Sequence, residues 1–262
     1  RPENVAPVEN SPLSGMNLCF LGSSVTEGAA SLETSFAEYI AVRNNCTYVK
    51  EAVGGTVTLV TMGTALAGEV MRQGIAIGAD KGVLVSDERM AGSDTLATGK
   101  ILAKAIEKIG GADLVITGKR STDGDTGQIP PAVAQHLGMS LLSYAESIAV
   151  DGGVVKGTRK VNGGIESVEV TLPAVCSVME TMNTPRQPKV RGTMMAKKAV
   201  FDVLRLEDLG LDAQEAGKAG SATQVTEMFA PEPHPVGTMI SGATAAEAAK
   251  NLVGTLAEKK LL

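Results

Sequence analysis

Short, mostly apolar runs alternate along this chain with longer stretches in which apolar residues recur three and four positions apart. The runs cover residues 16–21, 56–61, 82–85 and 114–117. Segments of that length, apolar but for Asn17, Thr56, Thr58, Thr61 and Thr117, suit strands covered on both faces, as in a parallel sheet. Between them, Leu66, Val70 and Ile77 mark one helix, and Leu102, Ala105, Ile106 and Ile109 mark another. A shorter helix is expected over residues 33–44, where Phe36, Ile40 and Arg43 keep helical spacing. Strand followed by helix, repeated, is the signature of an α/β fold.

After His136 the pattern changes. Residues 147–161 and 165–170 are Val-rich and set apart by Asp151-Gly152-Gly153 and Asn162-Gly163-Gly164. Such turn sequences favour antiparallel hairpins. Residues 201–240 hold many Pro and Gly and few periodic runs, so they are expected to wrap another surface as an arm. Ala245, Ala249, Leu252 and Leu256 then share one stripe of a closing helix. Residues 1–15 have neither period and read as a disordered tail. The expected fold is a Rossmann-like open parallel sheet with helices on both faces, extended by an antiparallel hairpin. It would occupy residues 16–200, with an arm and C-terminal helix at 201–262.

Composition narrows the class. At 262 residues the chain can build a full core, and 44% of it is hydrophobic, which excludes a disordered chain. Aromatic residues are only 3% and Trp is missing, so the core must be aliphatic. A net charge of −5 with three Tyr and four Phe offers neither the basic patches nor the stacking surface of a nucleic-acid binder. Cys19, Cys46 and Cys176 are far apart and odd in number, so neither a disulfide framework nor a CxxC metal site is expected. A reducing, cytoplasmic compartment is the expectation. No apolar run approaches the ~18 residues of a membrane span.

The candidate chemistry lies in three loops that follow successive strands: Thr61-Met62-Gly63, residues 86–98, and residues 118–128. Ligands of open parallel sheets bind outside the C-terminal ends of the strands. The third loop leads into a helix opened by Pro130 and Pro131, which suit a first turn because the N–H groups they lack would be unpaired there. Free N–H groups and the dipole at a helix start favour an anion. Gly118 and Gly124 allow close approach to the backbone, Thr126 is placed to cap the helix, and Gln128 to reach back with its amide. Asp123 and Asp125 are poor neighbours for a phosphate. They either hold the turn by binding its backbone or contact a ribose or metal.

The segments GKRSTDGDTGQIPPAVAQHLG at 118–138 and GADKGVLVSDERMAGSDTLATGK at 78–100 resemble the electron-transfer flavoprotein beta subunit. Its loop reads Gly-(Arg/Lys)-Gln-x-x-Asp-Gly-Asp-Thr-x-Gln-x-Gly-Pro; here Arg120 stands for Gln and Pro130 for Gly. The resemblance implies a subunit with no catalytic acid, base or nucleophile of its own, which binds an adenine nucleotide. That nucleotide is AMP in the ordinary type or a second, bifurcating FAD in the anaerobic type, and the Asp-Gly-Asp-Thr-Gly-Gln wording is closer to the latter. It also implies an alpha subunit carrying FAD, and electron exchange with a flavin-dependent dehydrogenase of the acyl-CoA type. The implied contacts are Thr61, Met62, Gly63, Asp94, Thr95, Thr98, Gly118, Asp123, Gly124, Asp125, Thr126, Gly127 and Gln128. Helix capping by Ser93 or Asp94 is an equally good reading of that start and is compatible with contact. LPAVCSVMETMNTPRQPKVRGTMMAKKA at 172–199 resembles the family's strand, arginine-bearing turn and partner-recognition loop, implying partner contacts at Val190, Arg191, Met194 and Lys197. GKAGSATQV at 217–225 matches the arm laid over the alpha subunit.

This resemblance starts at Gly54. Before it, FLGSSVTEGAA at 20–30 and SFAEYIAVRNNCTYVKEAV at 35–53 look like the opening of an SGNH-type esterase, with Ser24 or Ser23 as nucleophile. Such an enzyme needs a His oriented by a carboxylate, usually as Asp-x-x-His. Neither His136 nor His234 has an Asp three residues before it, so a hydrolase is the alternative and not the leading reading. Flavoprotein beta subunits carry a Val-Lys-x-Val-Pro-Asp loop here that forms one wall of the adenine pocket. The fold is expected to survive its replacement, with weakened adenine binding.

Overall fold

The computed structural model describes residues 17–22, 55–121, 124–183, 187–227, 229 and 237–262. The expected tail, the helix at 33–44, Ser23, Ser24, Asp123 and His234 lie outside the described residues. The chain forms two compact units, Arg1–Gln224 and Val225–Leu262.

The first unit is built on one nine-stranded sheet in the order β7-β6-β5-β8-β4-β1-β2-β3-β9. The four apolar runs form its centre: β1 (Asn17–Gly22), β2 (Thr56–Met62), β3 (Lys81–Val85) and β4 (Leu114–Gly118). β1 lies between β2 and β4 and is parallel to both, with Cys19 level with Thr58 and Val115. The chain therefore steps from β1 through β2 to β3 in one direction, then returns to place β4 on the other side of β1. That reversal makes the topological switch point, outside the C-terminal ends of β1 and β4.

The strands alternate their side chains between two apolar layers. Cys19, Val60, Met62, Val83, Val85, Val115 and Val175 face one layer with Ile101, Leu102 and Ile106 of α2 (Thr95–Lys108) and Val133 and Ala134 of α3 (Ile129–Leu137). Val57, Leu59, Leu114, Ile116 and Cys176 face the other, with Ile75 and Ile77 of α1 (Ala67–Ile77) packed against them. Both sheet faces are thus covered, which is why β3 and β4 are buried at almost every position, while β2 carries Thr56 and Thr58 at half-buried positions near its start. Ile101, Leu102 and Ile106 are almost fully buried, each stabilising the fold by roughly 1.5–3 kcal/mol.

β5 (Ser140–Asp151), β6 (Val154–Val161) and β7 (Gly164–Thr171) form the antiparallel extension, turning at the two glycine pairs as expected. β5 starts well before the Val-rich run, because its first residues pair in parallel with β8 (Ala174–Val178), deep in the sheet. The segment read as a partner-recognition loop contains a helix, α4 (Val190–Lys198), seated on α1 where Gly192 abuts Ala76. Arg72 of α1 caps its C-terminus, donating to the carbonyls of Ala196 and Ala199 at 3.1 and 2.9 Å.

The segment from residue 201 also departs from the expected arm. β9 (Asp202–Leu204) adds an edge strand parallel to β3, and Leu206, Leu209, Leu211 and Ala216 are buried in the layer with α2. Residues 201–224 belong to the first unit, and the boundary falls at Gln224. Their apolar residues sit on short 3-10 turns, Glu207–Leu209 and Ala213–Glu215, and on α5 (Gly217–Gly220), whose geometry leaves no long period to read. The second unit holds α6 (Ala245–Glu258), capped by the Thr244 side chain accepting from the Glu247 N–H at 3.2 Å. No residue of α6 is buried.

Candidate functional site

The three loops leave the same edge of the sheet, and a close helix crossing draws two of them together. Gly99 of α2 lies so near Ala132 of α3 that a Cβ at residue 99 would stand 2.6 Å from the Ala132 methyl. The N-termini of the two helices converge as a result. The Thr95 hydroxyl donates to Gln128 Oε1 at 2.7 Å, joining the loop after β3 to the loop after β4. Gln128, not Thr126, occupies the N-cap position of α3, and its side chain makes no capping bond there because its amide carbonyl accepts from Thr95. Thr126 contributes a long contact, its hydroxyl accepting from the Gln128 N–H at 3.4 Å.

The loop after β4 is an open turn. Gly118 and Gly127 are half-buried, and Gly124, Asp125, Thr126 and Gln128 are exposed. Gly127 has φ 63° and Asp125 has φ 50°, both left-handed. The Asp125 carboxylate turns away from the helix start to Arg120, at 2.8 Å. Arg120 replaces the family's Gln, and it offsets the charge that made Asp125 a poor neighbour for an anion. No group of three or more His, Cys, Asp or Glu side chains able to hold a metal occurs among the described residues.

The other loops are more closely used by the protein itself. Thr61 and Met62 are buried, and Met62 packs into the layer with α2, because the strand period that points Val60 inward does the same two residues on. Gly63 donates its N–H to the Val85 carbonyl at 3.0 Å, leaving its backbone at the strand end. Asp94 caps α2, accepting from the Ala97 N–H at 2.9 Å, and its second oxygen accepts from the Thr223 N–H at 3.0 Å and hydroxyl at 3.1 Å. Burial works to raise the Asp94 pKa, but hydrogen bonds from Ala97, Thr223 and Ala222 outweigh it and hold the carboxyl below its ordinary range. Asp94 therefore organises the loop. Thr98 is half-buried one turn into α2 and bonds back to the Asp94 carbonyl at 2.9 Å.

Two parts of this arrangement escaped sequence reasoning. Residues 216–223 lie across the loop after β3: the Gly217 N–H donates to the Ser93 hydroxyl at 2.9 Å, and the Asp94 N–H to the Ser221 hydroxyl at 2.8 Å. The small residues of GKAGS are the only trace of this close packing in the sequence. The second part is Tyr144, whose hydroxyl rests against Gly127. Leu142 and Ala145, buried in one layer although three apart in a strand, are the signal that something is inserted there.

Arg89 ties the same region together, reaching Asp87 at 2.6 Å and Glu207 at 2.6 Å. The Arg89 guanidinium holds the largely buried Asp87 carboxyl well below the usual carboxylate range. A depressed carboxylate contributes stability above its unfolded pKa of about 3.9 and loses it as pH falls through the folded value. The variant Arg89→Met is expected to be less stable than wild type at pH 7, with the difference shrinking below about pH 4. Urea unfolding across that range checks it; a pH-independent difference would contradict the pairing.

The residues expected to meet a partner are elsewhere. Val190, Arg191, Met194 and Lys197 are all exposed on α4, which packs on α1 on the opposite sheet face from α2 and α3. His136 is exposed in the last turn of α3.

The polar loops and helix starts gather at the switch point of an open α/β sheet, the place where ligands of such sheets bind. Residues 47–209 match the electron transfer flavoprotein domain. Over 212 residues the chain is 37% identical to the electron transfer flavoprotein subunit beta of Mycobacterium tuberculosis, covering 77% of this chain and 80% of the relative. It is also 37% identical over 212 residues to subunit CarD of the caffeyl-CoA reductase-Etf complex of Acetobacterium woodii, covering 81% of each. Protein FixA of Azorhizobium caulinodans is 38% identical over 191 residues, 70% of this chain and 68% of its own. The chain belongs to the electron transfer flavoprotein beta-subunit family. None of these matches supports the esterase resemblance of residues 16–53.

Proposed function

We propose that this chain holds an adenine nucleotide, FAD or AMP, in the crevice at the β1/β4 switch point and works as one half of an electron-transfer complex with an FAD-bearing alpha subunit. The observation that carries the reading is the turn at 124–128. It opens α3 at the switch point, with Gly127 left-handed, the Thr126 hydroxyl exposed and the acidic Asp125 offset by Arg120. Such a turn suits a phosphate, because the backbone N–H groups of 126–129, ahead of Pro130 and Pro131 which have none, act together with the dipole of a nine-residue helix.

In this reading Gly118, Gly124 and Gly127 let the phosphates approach the backbone, and Thr126, Thr95 and Gln128 offer side-chain polar atoms. Thr61, Met62 and Gly63 contribute backbone at the end of β2, and Thr98 lies one turn into α2. Asp94 acts by holding the start of α2. Bound FAD would supply redox chemistry to the complex, whereas AMP would serve assembly alone. The wording at 123–128 favours FAD, and the CarD relative is named for a complex whose reductase acts on a CoA derivative. A flavin-dependent dehydrogenase of that chemical class is the proposed exchange partner, docking on Val190, Arg191, Met194 and Lys197. No described helix is long and apolar enough to cross a membrane, and the free thiols of Cys19 and Cys176 fit a cytoplasmic site of action.

The alpha subunit is expected to cover the second unit. With no residue of α6 buried, the ordering of its backbone, about 1–2 kcal/mol per residue, needs apolar surface from elsewhere. Amides of 225–262 should exchange fast in the lone chain and slow on adding an alpha subunit, while 201–224 stays protected throughout. Strong protection of α6 in the lone chain would contradict the wrapping role. Mass spectrometry of the nucleotide released on denaturing the complex distinguishes FAD from AMP, and release of neither would count against the site.

A further inference from the structure

Tyr144 stands at an irregularity that the sheet does not need. Along β5, Leu142 is level with Cys176 and Ala145 with Val178, so three steps on β5 oppose two on β8. The extra residue makes a bulge, and Tyr144 takes φ 57°, a left-handed conformation that an aromatic residue rarely adopts. Its N–H donates to the Ser177 hydroxyl at 2.9 Å, and Ser177 is itself 1% exposed. A serine in the sheet interior thus fixes the bulge.

The bulge sets the position of the ring. Ala145, Val178 and Gly118 are level across β5, β8 and β4, so Tyr144 lies at the strand ends from which the 118–128 loop departs. β5 and β4 are separated by one strand, about 10 Å, a span that a tyrosine and the loop bridge between them. A Cβ placed on Gly127 would stand 2.7 Å from the Tyr144 hydroxyl oxygen and 3.8 Å from Cζ. The hydroxyl fills the room that a side chain at 127 would take. The ring stays 41% exposed, so burial does not explain why an aromatic residue sits in a strained position here. Strained backbone persists where the surroundings over-determine it, and functional sites are the usual place.

We propose that Tyr144 is a positioning residue of the nucleotide site, bracing the left-handed turn at Gly127 so that the start of α3 faces the crevice already formed. Pre-forming the turn removes part of the ordering cost of binding. This role rests on the reading of that loop as a nucleotide site, and its test is arranged to separate the two.

Amide exchange at residues 124–129 is measured on the full chain without nucleotide, for wild type, Tyr144→Phe and Tyr144→Gly. Glycine accepts the left-handed backbone without strain, so Tyr144→Gly removes the brace and keeps the fold. Exchange at Gly127 and Gln128 should quicken about fivefold or more in Tyr144→Gly, while α2 amides at 101–106 stay unchanged. Tyr144→Phe should fall between, because it keeps the ring and loses the hydroxyl. Affinity for added AMP and FAD should drop about fivefold in Tyr144→Gly and less in Tyr144→Phe. Unchanged exchange at 127 and 128 overturns the brace even where nucleotide binds wild type normally. Faster exchange in a protein that binds neither AMP nor FAD supports the brace and rejects the nucleotide reading of the loop.

Discussion

Replacing Gly127 with Val should lower affinity for AMP and FAD more than tenfold while leaving the unfolding free energy within about 1 kcal/mol of wild type. Two effects act at this position. Its φ of 63° is a region where a β-branched residue is an outlier, costing roughly 1–2 kcal/mol. The first carbon of any side chain would also meet the Tyr144 hydroxyl. Because Gly124, Asp125, Thr126 and Gln128 are exposed, the strain can relax locally by refolding the turn, so the protein remains folded and the site is lost. Calorimetric titration beside urea unfolding separates these quantities. A large loss of stability with normal affinity would assign Gly127 to the fold alone.

The opposite balance is expected at Gly217. Here φ is 58°, and an added Cβ would run directly into the Arg89 carbonyl oxygen, with the Ala91 carbonyl 3.1 Å away on the same side. Ala216 beside it is buried in the layer with α2, so this backbone cannot move outward cheaply. Gly217→Val should therefore destabilise the first unit by more than about 3 kcal/mol, the sum of left-handed strain and displaced core. The same change should free the Asp94 carboxylate from Thr223, letting its pKa climb toward the ordinary value. Urea unfolding of Gly217→Val within 1 kcal/mol of wild type, a bound set by the usual scatter of surface changes, would show that residues 216–223 lie loosely on the loop.

The central strands were legible because burial on both faces demands mostly apolar residues along a short run, and that requirement is local. Helices α2 and α3 were legible for the same reason, in the stripe of one and the Pro130-Pro131 start of the other, and α1 only in part, since Leu66 of its expected stripe stands exposed at the N-cap. What could not be read depends on distant partners. α4 buries only Ala196 and is anchored by Arg72, 124 positions away from the Ala196 carbonyl it binds. Leu206, Leu209 and Leu211 reach the core on 3-10 turns, whose apolar spacing resembles that of an irregular arm. At the site, the Gly, Thr and Asp run of the turn announced itself, since few other structures require that composition. Met62 did not, because a strand-end residue points inward or outward according to a register set by β1 and β3. The use of Asp94 by Thr223 joins segments far apart in the chain and leaves no local sign.

The central claim, that the turn at 124–128 holds the phosphates of an adenine nucleotide, is tested most directly by titrating FAD and AMP into this chain assembled with its alpha subunit. Wild type and Gly127→Val are compared at equal alpha-subunit flavin content. Saturable binding equimolar with this chain in wild type, weakened more than tenfold in Gly127→Val, is the predicted result. Binding equally tight in both, or no binding in wild type at millimolar nucleotide, the weak limit of specific recognition, would contradict it.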